Sequence, residues 1–145
     1  MYQTILAAID GSSHSDRVLD HAIALTKTCG AKLHIMTVYR HHSPSESSLS
    51  MIRSKDLETP ESALKSYAKE VAEYGAGKAK DAGVTAKTHA VRGAPSRKIV
   101  DQAKKLDADL IILGKRGLGD MGGFLLGGVS HKVTSLAPCA CLTVK

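Results

Sequence analysis

Thr4-Ile5-Leu6-Ala7-Ala8-Ile9, followed at once by Asp10-Gly11-Ser12-Ser13, is the stretch that decides the fold. A short run with no polar alternation marks a strand covered on both faces, and the turn residues behind it stop that strand abruptly. Ser13 with Asp16 three residues on has the form of a capping box. Val18, Ala22, Leu25 and Cys29 then recur at helical spacing until Gly30 ends the helix. Leu110-Ile111-Ile112-Leu113 is a second run as apolar as the first.

Between and beyond these two runs the same alternation continues. Lys32 to Val38 reads as a second strand. Residues 40–59, opening Arg40-His41-His42-Ser43-Pro44, are polar and carry six serines, the composition of a lid, a partner-binding loop or a disordered connection. Pro60-Glu61 opens a long helix with Leu64, Ala68, Val71 and Gly75 on one stripe, ending near Gly83. Val84 to Val91 reads as a third strand, and Gly93-Ala94-Pro95 starts a helix with proline in its first turn, carrying Ile99, Ala103 and Leu106. After a loop from Gly114 to Gly128, a short helix with Val129, Val133 and Leu136 is stopped by Pro138, and Cys139 to Val144 makes a fifth strand.

Five strands alternating with four helices predict an α/β, doubly wound domain spanning 1–145, with a five-stranded parallel sheet and helices on both faces. The two most apolar strands, 4–9 and 110–113, belong at its centre as neighbours. Open sheets of this kind bind ligands beyond the carboxyl ends of the strands, where the strand order reverses. Those ends deliver Asp10 and Gly114, which fixes the expected site.

Composition sets the class. Hydrophobic residues make up 43% and charged residues 23%, so disordered and collagen-like chains are excluded. The apolar stretches are too short for a bilayer, and Met1-Tyr2-Gln3 runs straight into the first strand without a leader. Three cysteines, an odd number in a chain this size, fit a reduced, cytoplasmic setting. The net charge of +6 favours anionic partners, but the bases are scattered and the aromatics number one Phe and four Tyr. Stacking platforms for single-stranded nucleic acid are therefore nearly absent, and a small phosphorylated ligand is the better guest.

The segment Gly114-Lys115-Arg116-Gly117-Leu118-Gly119-Asp120-Met121-Gly122-Gly123-Phe124-Leu125-Leu126-Gly127-Gly128 holds seven glycines in fifteen residues. Glycine lets successive backbone N–H groups converge on an anion, and the helix that follows adds its own unpaired N–H groups. Two familiar phosphate motifs fail. Gly128 stands where a Walker lysine belongs, and Gly117, Gly119 and Gly122 form G-x-G-x-x-G after the fourth strand rather than the first.

A third pattern fits. Gly114, two residues, Gly117, nine residues, then Gly127 resembles the nucleotide-binding signature of the universal stress protein family. Ile9-Asp10-Gly11-Ser12, Val129-Ser130 and Ala137-Pro138-Cys139 extend the resemblance over the whole chain. It implies an ATP-binding regulatory or stress-response protein with strand order 3-2-1-4-5, usually a homodimer. It further implies that Ala8, Ile9 and Asp10 line the ribose and the metal-bound phosphates, with Mg²⁺ accompanying ATP and meeting Asp10 through water. Val38 would meet the adenine through its backbone. Gly114, Arg116, Gly117, Gly127, Val129 and Ser130 would hold sugar and phosphates, with Leu113 and Gly128 in the same lining. In one respect the chain departs from the pattern: Gly128 replaces the family's Ser or Thr, so one hydroxyl donor to phosphate is missing.

The remaining candidates have plainer readings. Asp10 also suits a role as organiser of the turn before the first helix, and Lys115 and Arg116 suit solvated loop charges. Cys139 and Cys141 share a strand face with no second Cys/His pair to complete a zinc site, and the adjacent His41 and His42 cannot both face one ion easily. No nucleophile–base pair or paired carboxylates stand at a strand end, so the chain reads as a binding protein capable at most of slow ATP hydrolysis. The alternative is a dimeric scaffold that has lost useful ATP binding. A phosphoryl-receiver domain would need an Asp where Val91-Arg92-Gly93 stands. The uncharged final strand, at a sheet edge in the 3-2-1-4-5 order, is the expected two-fold contact.

Overall fold

Leu6, Ile111 and Leu113 pack on one side of a sheet while Ile5, Ala7, Leu110 and Ile112 pack on the other, so the unbroken apolar runs serve two cores at once. This arrangement is seen in a computed structural model of the chain, which describes residues 1–40, 60–116 and 128–145. The elements run β1 (Thr4–Ala8), α1 (Ser15–Cys29), β2 (Lys32–Tyr39), α2 (Pro60–Asp81), β3 (Ala86–Arg92), α3 (Pro95–Leu106), β4 (Leu110–Gly114), α4 (Gly128–Leu136) and β5 (Ala140–Val144). All strand pairs are parallel, in the order β3-β2-β1-β4-β5.

One core lies under α1 and α2, where Val18, Leu19, Ala22, Ile23, Val71 and Ala72 meet β1, β2 and β4. The second lies under α3 and α4, where Ile99, Val100, Ala103 and Val133 meet Leu6, Met36, Ile111 and Leu113. Each fully buried Leu or Ile contributes about 1.5–3 kcal/mol of hydrophobic stabilisation. The helices end where the sequence punctuates them. Gly30 takes φ +65 behind α1, and its N–H donates to the Thr26 carbonyl, satisfying one of the orphan acceptors of the last turn. Pro95 opens α3 at a position whose N–H needs no partner.

Three local expectations need correction. Ser13 does not cap α1: the helix begins at Ser15, the N-cap residue is His14 without a side-chain bond, and Ser15 N donates to Ser12 O at 3.0 Å. The third strand starts at Ala86, because Val84 N is used in closing α2 onto the Ala79 carbonyl at 2.8 Å. Leu136 lies on the expected apolar stripe of α4 yet is 63% exposed, at the last position of a helix that turns towards the edge strand β5. Residues 41–59 lie outside the described residues. No helix among the described residues is long and apolar enough to cross a membrane.

Candidate functional site

The strand order reverses between β2-β1 and β4-β5, and the register across that point pairs Ala8 with Leu113. Asp10 and Gly114 therefore leave the sheet from neighbouring strand ends, the crevice where doubly wound sheets take ligands. Ile9 N donates to Met36 O at 2.9 Å, which carries the chain past β2 before it turns.

The turn after β1 is built around a serine that the sequence pattern did not single out. Ser15 Oγ accepts from Gly11 N at 3.1 Å and Asp10 N at 3.3 Å, and donates to Asp10 Oδ1 at 3.3 Å. Asp10 Oδ1 also accepts from Ser12 N at 2.9 Å, an Asx-type turn. Asp10 thus organises the turn as its plainer reading required. Gly11 carries φ +83, and a Cβ there would collide with Tyr67 Oη on α2, so only glycine suits the position.

On the other side of the crevice, Gly114 sits where a Cβ would stand 2.9 Å from the Arg116 carbonyl. Lys115 N donates to Val144 O at 2.7 Å, and Ser130 Oγ, in the first turn of α4, donates to Lys115 O at 3.1 Å. Ser130 is 2% exposed. A hydroxyl held this way steers the backbone between β4 and α4. Val129 is half-buried beside Ser130, and Gly128 is exposed, with none of the described residues within 4 Å of where its Cβ would stand. Arg116 is exposed. Val38 lies on β2 opposite Val91 of β3.

Of the expected site residues, Ala8, Ile9, Asp10, Leu113, Gly114, Arg116, Gly128, Val129 and Ser130 gather at the β1–β4 strand ends or the α4 amino end, and Val38 stands one strand away. Gly117 and Gly127 lie outside the described residues, as do His41 and His42. Cys139 and Cys141 both pack towards the α3–α4 core, where burial pushes the two thiols up and keeps them protonated. Two clefts lie elsewhere. One of about 440 Å³ between α1 and α2 is lined by Asp20, Lys27, Lys78 and Asp81. The other, of about 490 Å³, opens at the amino ends of β1 and β4.

Comparison with known proteins bears on this geometry. The model of the universal stress protein family matches residues 1–145. A universal stress protein of Bacillus subtilis (strain 168) is 34% identical over 148 residues, covering 100% of both chains. The crystal structure of a universal stress protein in complex with cAMP is similar at a TM-score of 0.73 and 30% identity, covering 99% of this chain and 97% of that one. A universal stress protein of Archaeoglobus fulgidus in complex with dAMP shares the fold at a TM-score of 0.70 and 22% identity, covering 99% and 98%.

Proposed function

The chain belongs to the universal stress protein family, and from that premise we propose that it is a regulatory protein that binds an adenine nucleotide, ATP by its glycine spacing, between the Asp10 turn and the Gly114–Ser130 segment. One observation carries the reading: the Ala8–Leu113 register brings the Asp10 turn and Gly114, the first glycine of the spaced set, to the same strand ends at the switch point. The related structures with cAMP and dAMP support an adenine nucleoside phosphate as the class of guest. In this reading Val38 meets the base, Ala8, Ile9 and Leu113 line the sugar, and Gly114, Arg116, Gly117, Gly127, Gly128, Val129 and Ser130 surround the phosphates. Mg²⁺ would arrive with ATP and meet Asp10 through water, since Asp10 Oδ1 already accepts from Ser12 N and Ser15 Oγ.

Backbone N–H groups at a helix start suit phosphate because they add partial positive charge without a counter-ion to displace. In this reading the bound nucleotide acts as a signal rather than a substrate. Mass spectrometry of the gently purified protein tests this. An adenine nucleotide that co-purifies, and that also binds the emptied protein in calorimetry, supports the proposal. Failure of ATP, AMP and cAMP alike to bind leaves the second reading, a stress-linked scaffold that has shed its ligand, which Gly128 in place of a hydroxyl residue favours.

A further inference from the structure

On the sheet face covered by α3, well away from the Asp10 turn, two histidines meet. His34 of β2 stands in register with Lys87 of β3, and Met36 with His89. His34 Nδ1 and His89 Nε2 are 2.9 Å apart, with ring planes 22° apart and centroids 5.2 Å apart. Nearly parallel planes with that short nitrogen separation put the two nitrogens close to the line joining the centroids. The rings meet edge to edge in a straight N–H···N bond rather than face to face. Gln102 Nε2 of α3 reaches His89 Nδ1 at 3.4 Å. His34 is 8% exposed. A polar chain thus joins β2, β3 and α3, with His34 buried and His89 and Gln102 half-buried.

We infer that the His34–His89–Gln102 chain is an acid-sensitive latch, which holds α3 and the edge strand β3 against β2 at neutral pH and lets go when both rings take up protons.

The proton inventory gives the reason. With Gln102 donating to His89 Nδ1, the single shared proton belongs to His89 Nε2 and His34 Nδ1 accepts it. A first added proton enters at His89 Nδ1 and forces the Gln102 amide to turn over. A second enters at His34 Nδ1, and two N–H groups then face each other at bonding distance, which ends the contact.

The surroundings oppose each step. Lys32 from β2, Lys87 from β3 and Lys105 from α3 act on the pair, β1 sets uncharged Leu6 beside His34, and no carboxylate among the described residues acts on either ring. Burial comes first for both rings, followed for His34 by the charge of His89 and then Lys87 and Lys32, and for His89 by Lys105 and Lys87; together these hold both rings below the ordinary histidine value. The sign follows. A depressed folded pKa means full stability above the unfolded value of about 6.5. Stability is lost as pH falls from there towards the folded value, because opening takes up protons.

Hydrogen exchange across pH tests the latch. Between about pH 6.5 and about pH 5.5, protection of 86–92 and 95–106 should fall about tenfold per proton taken up on opening, while that of 4–8 and 110–114 holds. His89→Gln keeps a donor towards His34 but removes one of the two titrating rings, and should make the selective fall about tenfold smaller. A uniform loss over the whole sheet, or an unchanged fall in His89→Gln, overturns the inference. Should that variant not fold, NMR titration of the wild-type rings decides alone: coupled steps below about 6.5 support the latch, and independent steps at that value overturn it.

Discussion

Ser130 Oγ donates to the Lys115 carbonyl at 3.1 Å, tying the first turn of α4 to the residue that leaves β4. Because Lys115 N donates to Val144 O, the same residue is also fastened to the edge strand β5. Both ends of the glycine-rich segment are therefore fixed to the frame. Ser130→Ala removes the donor and leaves a part-buried carbonyl without it, at a cost of about 1–2 kcal/mol. Urea denaturation reads that loss. Nucleotide affinity should fall as well if the amino end of α4 forms part of the site, and unchanged affinity would separate the two roles.

The turn after β1 makes the companion prediction. Ser15→Ala strips the acceptor from Asp10 N and Gly11 N together, two donors that have little other choice in a part-buried turn. The expected cost is about 1–3 kcal/mol, more than loss of an ordinary cap. Gly11→Ala should cost at least about 1 kcal/mol through its positive φ alone, and more because the new methyl meets Tyr67 Oη. If the clash matters, Tyr67→Ala should recover part of the Gly11→Ala loss. Additive losses in the double variant would show that only φ counts.

How much of this was legible in the sequence follows from the range of each interaction. β1 and β4 could be read directly, since a strand buried on both faces must be apolar at every position. The place proposed for the site followed from them, because strand ends at a switch point need no side-chain detail. The start of α1 was misread for a local reason. Ser13 and Asp16 have capping spacing, but the hydroxyl in use is that of Ser15, which reaches backwards to Asp10 and Gly11. Leu136 was misread because helical periodicity says which stripe a residue occupies, and not whether the last turn still overlies the sheet. The His34–His89 bond had no sequence signal at all. Its partners are fifty-five residues apart and meet only through the β2–β3 register.

The edge strand carries a prediction about assembly. β5 pairs on one side with β4 and stands at the border of the sheet, and its residues Ala140–Val144 carry no charge. Unprotected edges of that kind invite pairing, and a two-fold axis would satisfy both copies at once. Sedimentation at micromolar concentration should therefore report a dimer. Ala140 is exposed, so Ala140→Lys adds charge at the edge without touching either core and should shift the protein towards monomer. A wild-type monomer would defeat the proposal.

Gly128 is the position where the proposed nucleotide affinity should rise on substitution. It opens α4, is exposed, takes no positive φ, and none of the described residues comes within 4 Å of where its Cβ would stand, so they leave room for a serine. The new hydroxyl would stand at a helix start beside the proposed phosphates. A hydrogen bond to a charged group contributes about 1.5–3 kcal/mol before ordering costs, so Gly128→Ser should bind ATP about tenfold more tightly. Gly114→Val should do the opposite, since its side chain would press on the Arg116 carbonyl and turn the loop aside. Calorimetry with Mg-ATP on the three proteins separates the readings. Binding by the wild type that is lost in Gly114→Val supports a nucleotide sensor. Silence in the wild type with recovery in Gly128→Ser supports a scaffold that gave up its ligand through this one glycine. If ATP leaves all three unmoved while AMP or cAMP binds, the site holds a smaller phosphate than the glycine spacing suggests, and the missing hydroxyl at 128 is not the reason.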